Sequence, residues 1–301
     1  MTQPVFRLWQ NDNAIIIGMH QNALAEINID YVNKNGIKVV RRLSGGGAVF
    51  HDMGNLNFTF IDKRKKSEDS SAMFARFTKP IIHALGKLGI NAALEGRNDL
   101  VIDGKKFSGN AVAVYKDRLL QHGTLLFSSS IKDLSMALAG RPEKFISKSV
   151  KSTSARVTNI SDHIKSQMTI EEFILFLENE IAKAENYNRY YYSEDDLKEI
   201  EKLRDEKYSR DWWNLCSAPP YKYSKAVQFP GGLVEVYLEV SKGMISDVRI
   251  FGSYFFTRET NEIENILQGC KHTKDDILER LQTINLSHYF NNITREEFIS
   301  L

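Results

Sequence analysis

Two arginines run directly into three consecutive glycines at Arg41-Arg42-Leu43-Ser44-Gly45-Gly46-Gly47. Glycine has no Cβ, so backbone N–H groups in such a loop can approach an anion closely, and the chain can take φ values closed to other residues. Guanidinium groups entering the loop add planar forks of donors that match phosphate. The chemistry this spacing suits is capture of a phosphorylated or carboxylate group. Ala48-Val49-Phe50 then resumes an extended apolar path, suited to the wall of an acyl or adenine pocket, and His51-Asp52 follow. The run is not a P-loop, because no Gly-Lys-Ser/Thr closes it, and not a dinucleotide fingerprint, because no helix signature follows. Lys105-Lys106 forms a second local basic cluster.

These residues need elements to hold them. Short β-branched or aromatic runs bounded by Asn, Gly and Asp predict strands over residues 14–18, 38–43 and 57–61. Residues 100–102 and 105–111 flank Asp103-Gly104, a dipeptide that suits a tight primed turn and predicts a hairpin. A second hairpin follows, 111–115 returning as 119–127 through Lys116-Asp117. Phe74, Phe77, Ile81, Leu85 and Leu88 recur on one face of a helix over 73–88, in which Pro80 predicts a kink or a later start. Thr169 with Glu172 three residues on is a capping box, opening a helix to about residue 184 whose buried stripe is Phe173, Phe176 and Leu177. Hairpins mixed with helices, without repeated strand–helix–strand units, predict an α+β fold.

After residue 184 the texture changes to an Asn/Tyr-rich linker over 186–192 and a charged helix over 193–208. A second hairpin unit then runs from 232–240 to 244–251 through Ser241-Lys242-Gly243, closed by helices at 260–267 and after Thr273, with Asp276 as its cap partner. This predicts a large domain over 1–190 and a smaller α+β domain over 191–301.

Composition narrows the function classes. The 301 residues carry 40 Lys and Arg against 38 Asp and Glu, a net charge of +2 that argues against non-specific nucleic-acid binding. The longest apolar run near the N-terminus is Ala14-Ile15-Ile16-Ile17, too short for a membrane span, and no signal peptide is visible. Two cysteines, Cys216 and Cys270, suit a reduced, cytoplasmic protein.

Residues 41–55, from Arg41-Arg42-Leu43-Ser44-Gly45-Gly46-Gly47 through His51-Asp52-Met53-Gly54-Asn55, resemble the signature of lipoate–protein ligases, in the biotin/lipoate ligase superfamily. Gly96-Arg97-Asn98-Asp99-Leu100, Lys106-Phe107-Ser108-Gly109-Asn110-Ala111 and His122-Gly123-Thr124-Leu125-Leu126 match in the expected order. Leu8-Trp9-Gln10-Asn11 also fits, while Pro219-Pro220 and Gly231-Gly232 fit the smaller accessory domain more weakly. The resemblance implies a mixed or antiparallel sheet flanked by helices. It implies two half-reactions: lipoate and ATP, with Mg²⁺, form lipoyl-AMP and pyrophosphate. The lipoyl group then passes to a lysine on lipoyl domains of 2-oxoacid dehydrogenase complexes or on the glycine cleavage H protein. A monomer with no nucleic-acid or membrane partner is expected.

The same resemblance implies roles for residues. Lys106 is the expected central residue, a fixed ammonium between two anions, with Lys105 as competitor on the opposite face. Arg42 is expected to hold phosphate, with Gly46, Gly47, Ala48, Val49 and Phe50 lining the nucleotide and acyl path; Arg41 alternates to the other face as a structural residue. Asp99 is a candidate Mg²⁺ contact, and Asn98 a binding residue, against the plainer reading of both as an Asx turn. His51 and His122 suit either a general base or hydrogen-bonded support, and Ser44 and Ser108 suit donors rather than nucleophiles. A cysteine-dependent transferase is excluded for residues 1–190, which contain no cysteine. A lipoyltransferase using preformed lipoyl-AMP is the alternative.

Overall fold

The Asp103-Gly104 turn forms with both residues at positive φ (51° and 72°), as a primed hairpin turn requires. A computed structural model of the chain describes residues 3–65, 68, 70–96, 98–138, 156–185, 188–215, 223–241 and 243–301. Arg97, Cys216, Pro219-Pro220, Lys242 and the start of the 186–192 linker lie outside them. The chain divides into two compact units: Met1–Ile16, Ile27–Val40 and Val49–Arg210 form one, and Ile17–Glu26, Arg41–Ala48 and Asp211–Leu301 the other.

The strands up to residue 126, of which β2 and β3 each end on the first residue of a second-unit segment, are in chain order β1 (Val5–Trp9), β2 (Ala14–Ile17), β3 (Lys38–Arg41), β4 (Val49–His51), β5 (Asn55–Lys63), β6 (Ala92–Glu95), β7 (Asp99–Ile102), β8 (Lys105–Tyr115) and β9 (Arg118–Leu126). Six of them form one sheet in the order β1-β5-β9-β8-β7-β6, with every pair antiparallel. A smaller sheet has the order β3-β2-β4. The two hairpins expected from sequence share one long strand, β8, and so become a three-strand meander.

One face of the large sheet carries Leu56, Phe58 and Phe60, all buried. The helix Ser70–Lys87 covers it, and the rings of Phe60 and Phe77 lie 5.7 Å apart. That helix begins earlier than its apolar stripe predicts and runs unbroken through Pro80. Burial of Phe74, Phe77, Ile81 and Leu85 along one stripe offsets the lost hydrogen bond at the proline. The helix Ile170–Glu185 packs beside it, stacks Phe173 on Phe127 at 4.6 Å, and opens with both halves of the Thr169–Glu172 capping box.

The second unit contains an antiparallel sheet of β10 (Tyr223–Phe229), β11 (Gly232–Ser241) and β12 (Met244–Gly252). Val234, Val236, Ile245, Val248 and Ile250 from this sheet meet Ile263 and Leu267 of the helix Asn261–Leu267 in one apolar core. The helix Lys274–Leu281 starts on Thr273, whose hydroxyl accepts from the Asp276 N–H, as its spacing predicts. Among the described residues no helix is long and apolar enough to cross a membrane.

Candidate active site

Strand register places the candidate residues of the first unit in rows. Asp99 lies opposite Gly109, the Gly109 N–H donates to Thr124 Oγ1 at 3.2 Å, Thr124 lies opposite Asn57, and Asn57 opposite Trp9. The next row holds Ala111, His122, Thr59 and Arg7. Both rows share the face away from Phe58 and Phe60, because side chains alternate along each strand. Trp9 donates through Nε1 to Thr59 Oγ1 at 2.9 Å and links the rows.

Lys106 reaches this face through a bulge. Val101 opposes Lys106 and Leu100 opposes Ser108, so Phe107 is an extra residue in the ladder. A bulge re-aims the side chains beside it. Lys106 therefore sits on the side of Val101 and Asp99, with Cε and Nζ both 3.3 Å from the position a Cβ on Gly109 would take. Its Nζ lies 2.8 Å from Asp99 Oδ1, with the two side chains 42% and 37% exposed. A pair this exposed contributes no more than about 1 kcal/mol, so an incoming anion can displace it at small cost. Lys105 opposes Ile102 on the other face and is exposed.

Other candidates serve as scaffolding around this point. Asn98 Nδ2 donates to the Asn110 carbonyl at 2.5 Å, and the Asn98 carbonyl accepts from Asn110 N and Nδ2 at 3.0 Å each. This interlock pins the start of β7 beside Asp99. Ser108 is buried, takes a 3.4 Å hydrogen bond from Asn110 Nδ2, and shares the side of Leu100, not that of Lys106. His51 is buried and its Nδ1 meets Asn11 Nδ2 at 3.1 Å, while His122 is half-buried between Thr59 and Ala111. Val49 and Phe50 pair with Ile16 and Ile15.

The glycine loop belongs to the second unit. A Cβ on Gly45 would lie 2.2 Å from the Tyr254 carbonyl oxygen, so only glycine fits. Gly46 has φ +88° and donates its N–H to the same oxygen at 3.3 Å. Nothing lies within 4 Å of a Cβ on Gly47. Two of the three glycines thus answer to packing and dihedral demands. Arg42 curls over the loop: Nη2 donates to the Gly45 and Gly47 carbonyls at 2.7 Å each, and Nε to Ser44 Oγ at 3.1 Å. Burial, reinforced by the positive charge of Arg41, pushes its pKa down to about 9. A guanidinium strained in this way gains from an anion brought beside it.

Arg41 is 2% exposed and takes the structural part expected from alternation. It donates to the carbonyls of Gly18, Met19, Gln21 and Trp213 at 2.7–2.9 Å and to that of Asn214 at 3.3 Å. The sequence reading missed Tyr254, Trp213 and Asn214, which lie more than 170 residues beyond their partners and carry no local signal. It also missed Asn110 and Thr124, although both lie inside matched motifs.

Two family models match this chain: the lipoyl protein ligase A/B catalytic domain over residues 1–182, and the bacterial lipoate protein ligase C-terminus over residues 218–301. The chain belongs to the lipoate–protein ligase family. It is 44% identical to the lipoate-protein ligase LplJ of Bacillus subtilis, over 99% of this chain and 91% of that protein. Among solved structures it resembles P. falciparum LipL1 in complex with lipoate (TM-score 0.77, 26% identity, 100% of this chain and 85% of that one). It also resembles the bi-partite lipoate protein ligase of Thermoplasma acidophilum, described with its E2 lipoyl domain (0.65, 32%, 73% and 87%). A lipoate-protein ligase A bound with ATP gives 0.61 at 29% identity over 71% and 86%.

The second unit of this ligase holds a buried imidazole. His20 stacks on Tyr254 at 5.1 Å and meets Phe256 edge-on at 4.4 Å. Burial first, and the Arg41 charge second, push its pKa down to about 3, so it is neutral at pH 7 and Glu259, 3.7 Å away, makes no ion pair with it. The unfolded chain binds this proton near pH 6.5 and the folded one does not. Its contribution is therefore complete above pH 6.5 and is lost as pH falls toward 3, by up to about 1.4 kcal/mol per pH unit. Urea titrations of wild type and His20→Asn at several pH values should show a steeper acid loss in the wild type; parallel slopes would refute this.

Proposed function

We propose that this chain activates lipoate with ATP to give lipoyl-AMP and pyrophosphate, then passes the lipoyl group to a lysine of a carrier. The observation that carries the reading is the bulge that turns Lys106 over Gly109, beside Asp99, on the same face as His122 and Thr124. In the first step a carboxylate oxygen attacks the α-phosphorus and the bond to the β-phosphate oxygen breaks, releasing pyrophosphate. An ammonium at Lys106 offsets repulsion between two anions and stabilises charge on the pentavalent phosphorus. In the second step a carrier amine, after losing a proton, attacks the lipoyl carbonyl; an amide forms and AMP leaves. Arg42 and the open backbone at Gly47 are assigned to phosphate, with Gly46, Ala48, Val49 and Phe50 along the nucleotide and acyl path, and Asn98 and Ser108 supporting Asp99 and the Lys106 strand.

Asp99 is the residue proposed to hold Mg²⁺, which would neutralise phosphate oxygens. One exposed carboxylate fits that ion, which binds through one or two carboxylates and substrate phosphates. Among the described residues no three His, Cys, Asp or Glu side chains gather as a protein cage. Every motif that bears on the chemistry precedes residue 190, which supports a catalytic role for 1–190, with 191–301 as an accessory part whose Tyr254 carbonyl holds the glycine loop. The proposed carriers are lipoyl domains of 2-oxoacid dehydrogenase complexes and the glycine cleavage H protein, met in the cytoplasm by a monomer.

Incubation with lipoate, ATP and a carrier domain should release pyrophosphate and lipoylate the carrier. Carrier lipoylation from added lipoyl-AMP without pyrophosphate release from ATP would instead identify a transferase that lacks the first step.

A further inference from the structure

Lys106 is held by more than its own hairpin. The registered pairing of β8 with β9 runs from Asn110 to Tyr115, so at Lys106 the second edge of β8 needs another partner. Val157 supplies it through a parallel bridge to Lys106, and the Thr158 N–H donates to the Lys106 carbonyl at 2.9 Å.

The segment making this contact is itself fixed at both sides. The Thr158 hydroxyl meets His163 Nε2 at 2.9 Å, and His163 Nδ1 lies 3.8 Å from Asp103 Oδ2, in the turn three residues before Lys106. On the other side, Asn159 exchanges two hydrogen bonds with the backbone of Ser129, at 3.0 and 3.1 Å. The neighbouring Ser130 N–H donates to Asp52 Oδ2 at 2.7 Å, and Asp52 Oδ1 accepts from Gly54 N–H at 3.0 Å. A continuous polar strut therefore runs from the Asp52 turn through Asn159 and Thr158 to the backbone of Lys106, and returns through His163 to the hairpin tip. Thr158 is 6% exposed, so its hydrogen bonds compete little with water.

We propose that Thr158, braced by His163 and Asn159, is a positioning residue that fixes where the Lys106 ammonium sits. The proposal rests on the assignment of Lys106 to adenylation. A bulged strand end held on one side only can pivot, and small misplacement of a charge-stabilising group costs rate more than it costs ground-state binding. Thr158→Val keeps the branched shape and removes the hydroxyl that meets His163.

Thr158→Val should lower kcat for lipoyl-AMP formation by about tenfold or more, with KM for lipoate and for ATP changing less than about twofold. Thr158→Ser should restore kcat to within about threefold of wild type. In a Lys106→Ala background, Thr158→Val should cause no further loss, because both changes act on one group. Wild-type kcat in Thr158→Val, with Lys106→Ala inactive, overturns the positioning role and leaves the Lys106 assignment standing. A raised KM at unchanged kcat overturns it in favour of direct substrate contact, and an additive loss in the double variant overturns it by placing the effect elsewhere. Full activity of Lys106→Ala refutes the assignment beneath it, and is read separately. If Thr158→Val unfolds below the assay temperature, His163→Ala removes the same hydrogen bond from the half-buried imidazole side and takes the same measurements.

Discussion

Lys106→Ala should lower lipoyl-AMP formation by at least about a hundredfold while leaving the melting temperature near that of wild type. The two expectations have separate physical sources. The rate effect follows from removing a fixed positive charge where negative charge develops on phosphorus and where two anions must meet. The stability expectation follows from exposure: Lys106 and Asp99 are 42% and 37% exposed, and so open a pair contributes little to folding. Lys105→Ala is the internal control. Lys105 opposes Ile102 and points away from Asp99, so its removal should leave turnover close to wild type. Pyrophosphate release, followed with lipoate and ATP at saturating concentration, reads both variants. Near-normal release by Lys106→Ala would retire the assignment, and equal losses at both lysines would mean that general positive charge, not placement, is what matters.

Arg41→Met should destabilise the fold by about 3–5 kcal/mol. The guanidinium donates to five backbone carbonyls drawn from two stretches of chain, those of Gly18, Met19 and Gln21 and those of Trp213 and Asn214. The strand end is fixed as well, since Arg41 N–H donates to Asn214 Oδ1 at 3.0 Å and its carbonyl accepts from Trp213 Nε1 at 2.9 Å. Methionine keeps the apolar stem and strands the buried acceptors, which is where the cost arises. Arg42→Met should behave oppositely, with a smaller stability loss and a larger loss of turnover, because its guanidinium donates to Ser44, Gly45 and Gly47 of its own loop rather than bridging two distant stretches as Arg41 does. Urea midpoints at constant m, compared with kcat for each variant, separate the two. A loss below about 1 kcal/mol for Arg41→Met would show that water or a shifted backbone replaces the guanidinium.

What could be read from the sequence follows from how local its causes are. Asp103-Gly104, the Thr169–Glu172 capping box and the Thr273 cap act within four residues, and all appear as read. Alternation separated Lys105 from Lys106 and Arg41 from Arg42 for the same reason. The Phe107 bulge was not legible, because an extra residue in a ladder is defined by its partner strand, and that partner choice brings Lys106 to the side of Asp99. Pro80 misled in the other direction: local chemistry asked for a break, and the apolar stripe from Phe74 to Leu85 overrode it. The glycine run was legible as a loop, whereas the reason for Gly45 lay in the carbonyl of Tyr254.

The second unit takes residues 17–26 and 41–48 from early in the chain and 211–301 from its end. During synthesis its first two pieces emerge long before Trp213, Asn214 and Tyr254 exist to receive Arg41 and Gly46. Folding of this unit must therefore wait until translation is nearly complete, unlike an ordinary C-terminal domain, which closes on its own residues. The same threading makes residues 17–26 and 41–48, inside the catalytic-domain match, part of the unit that holds the C-terminus match. A cut at residue 210 leaves fragments neither of which holds that unit whole.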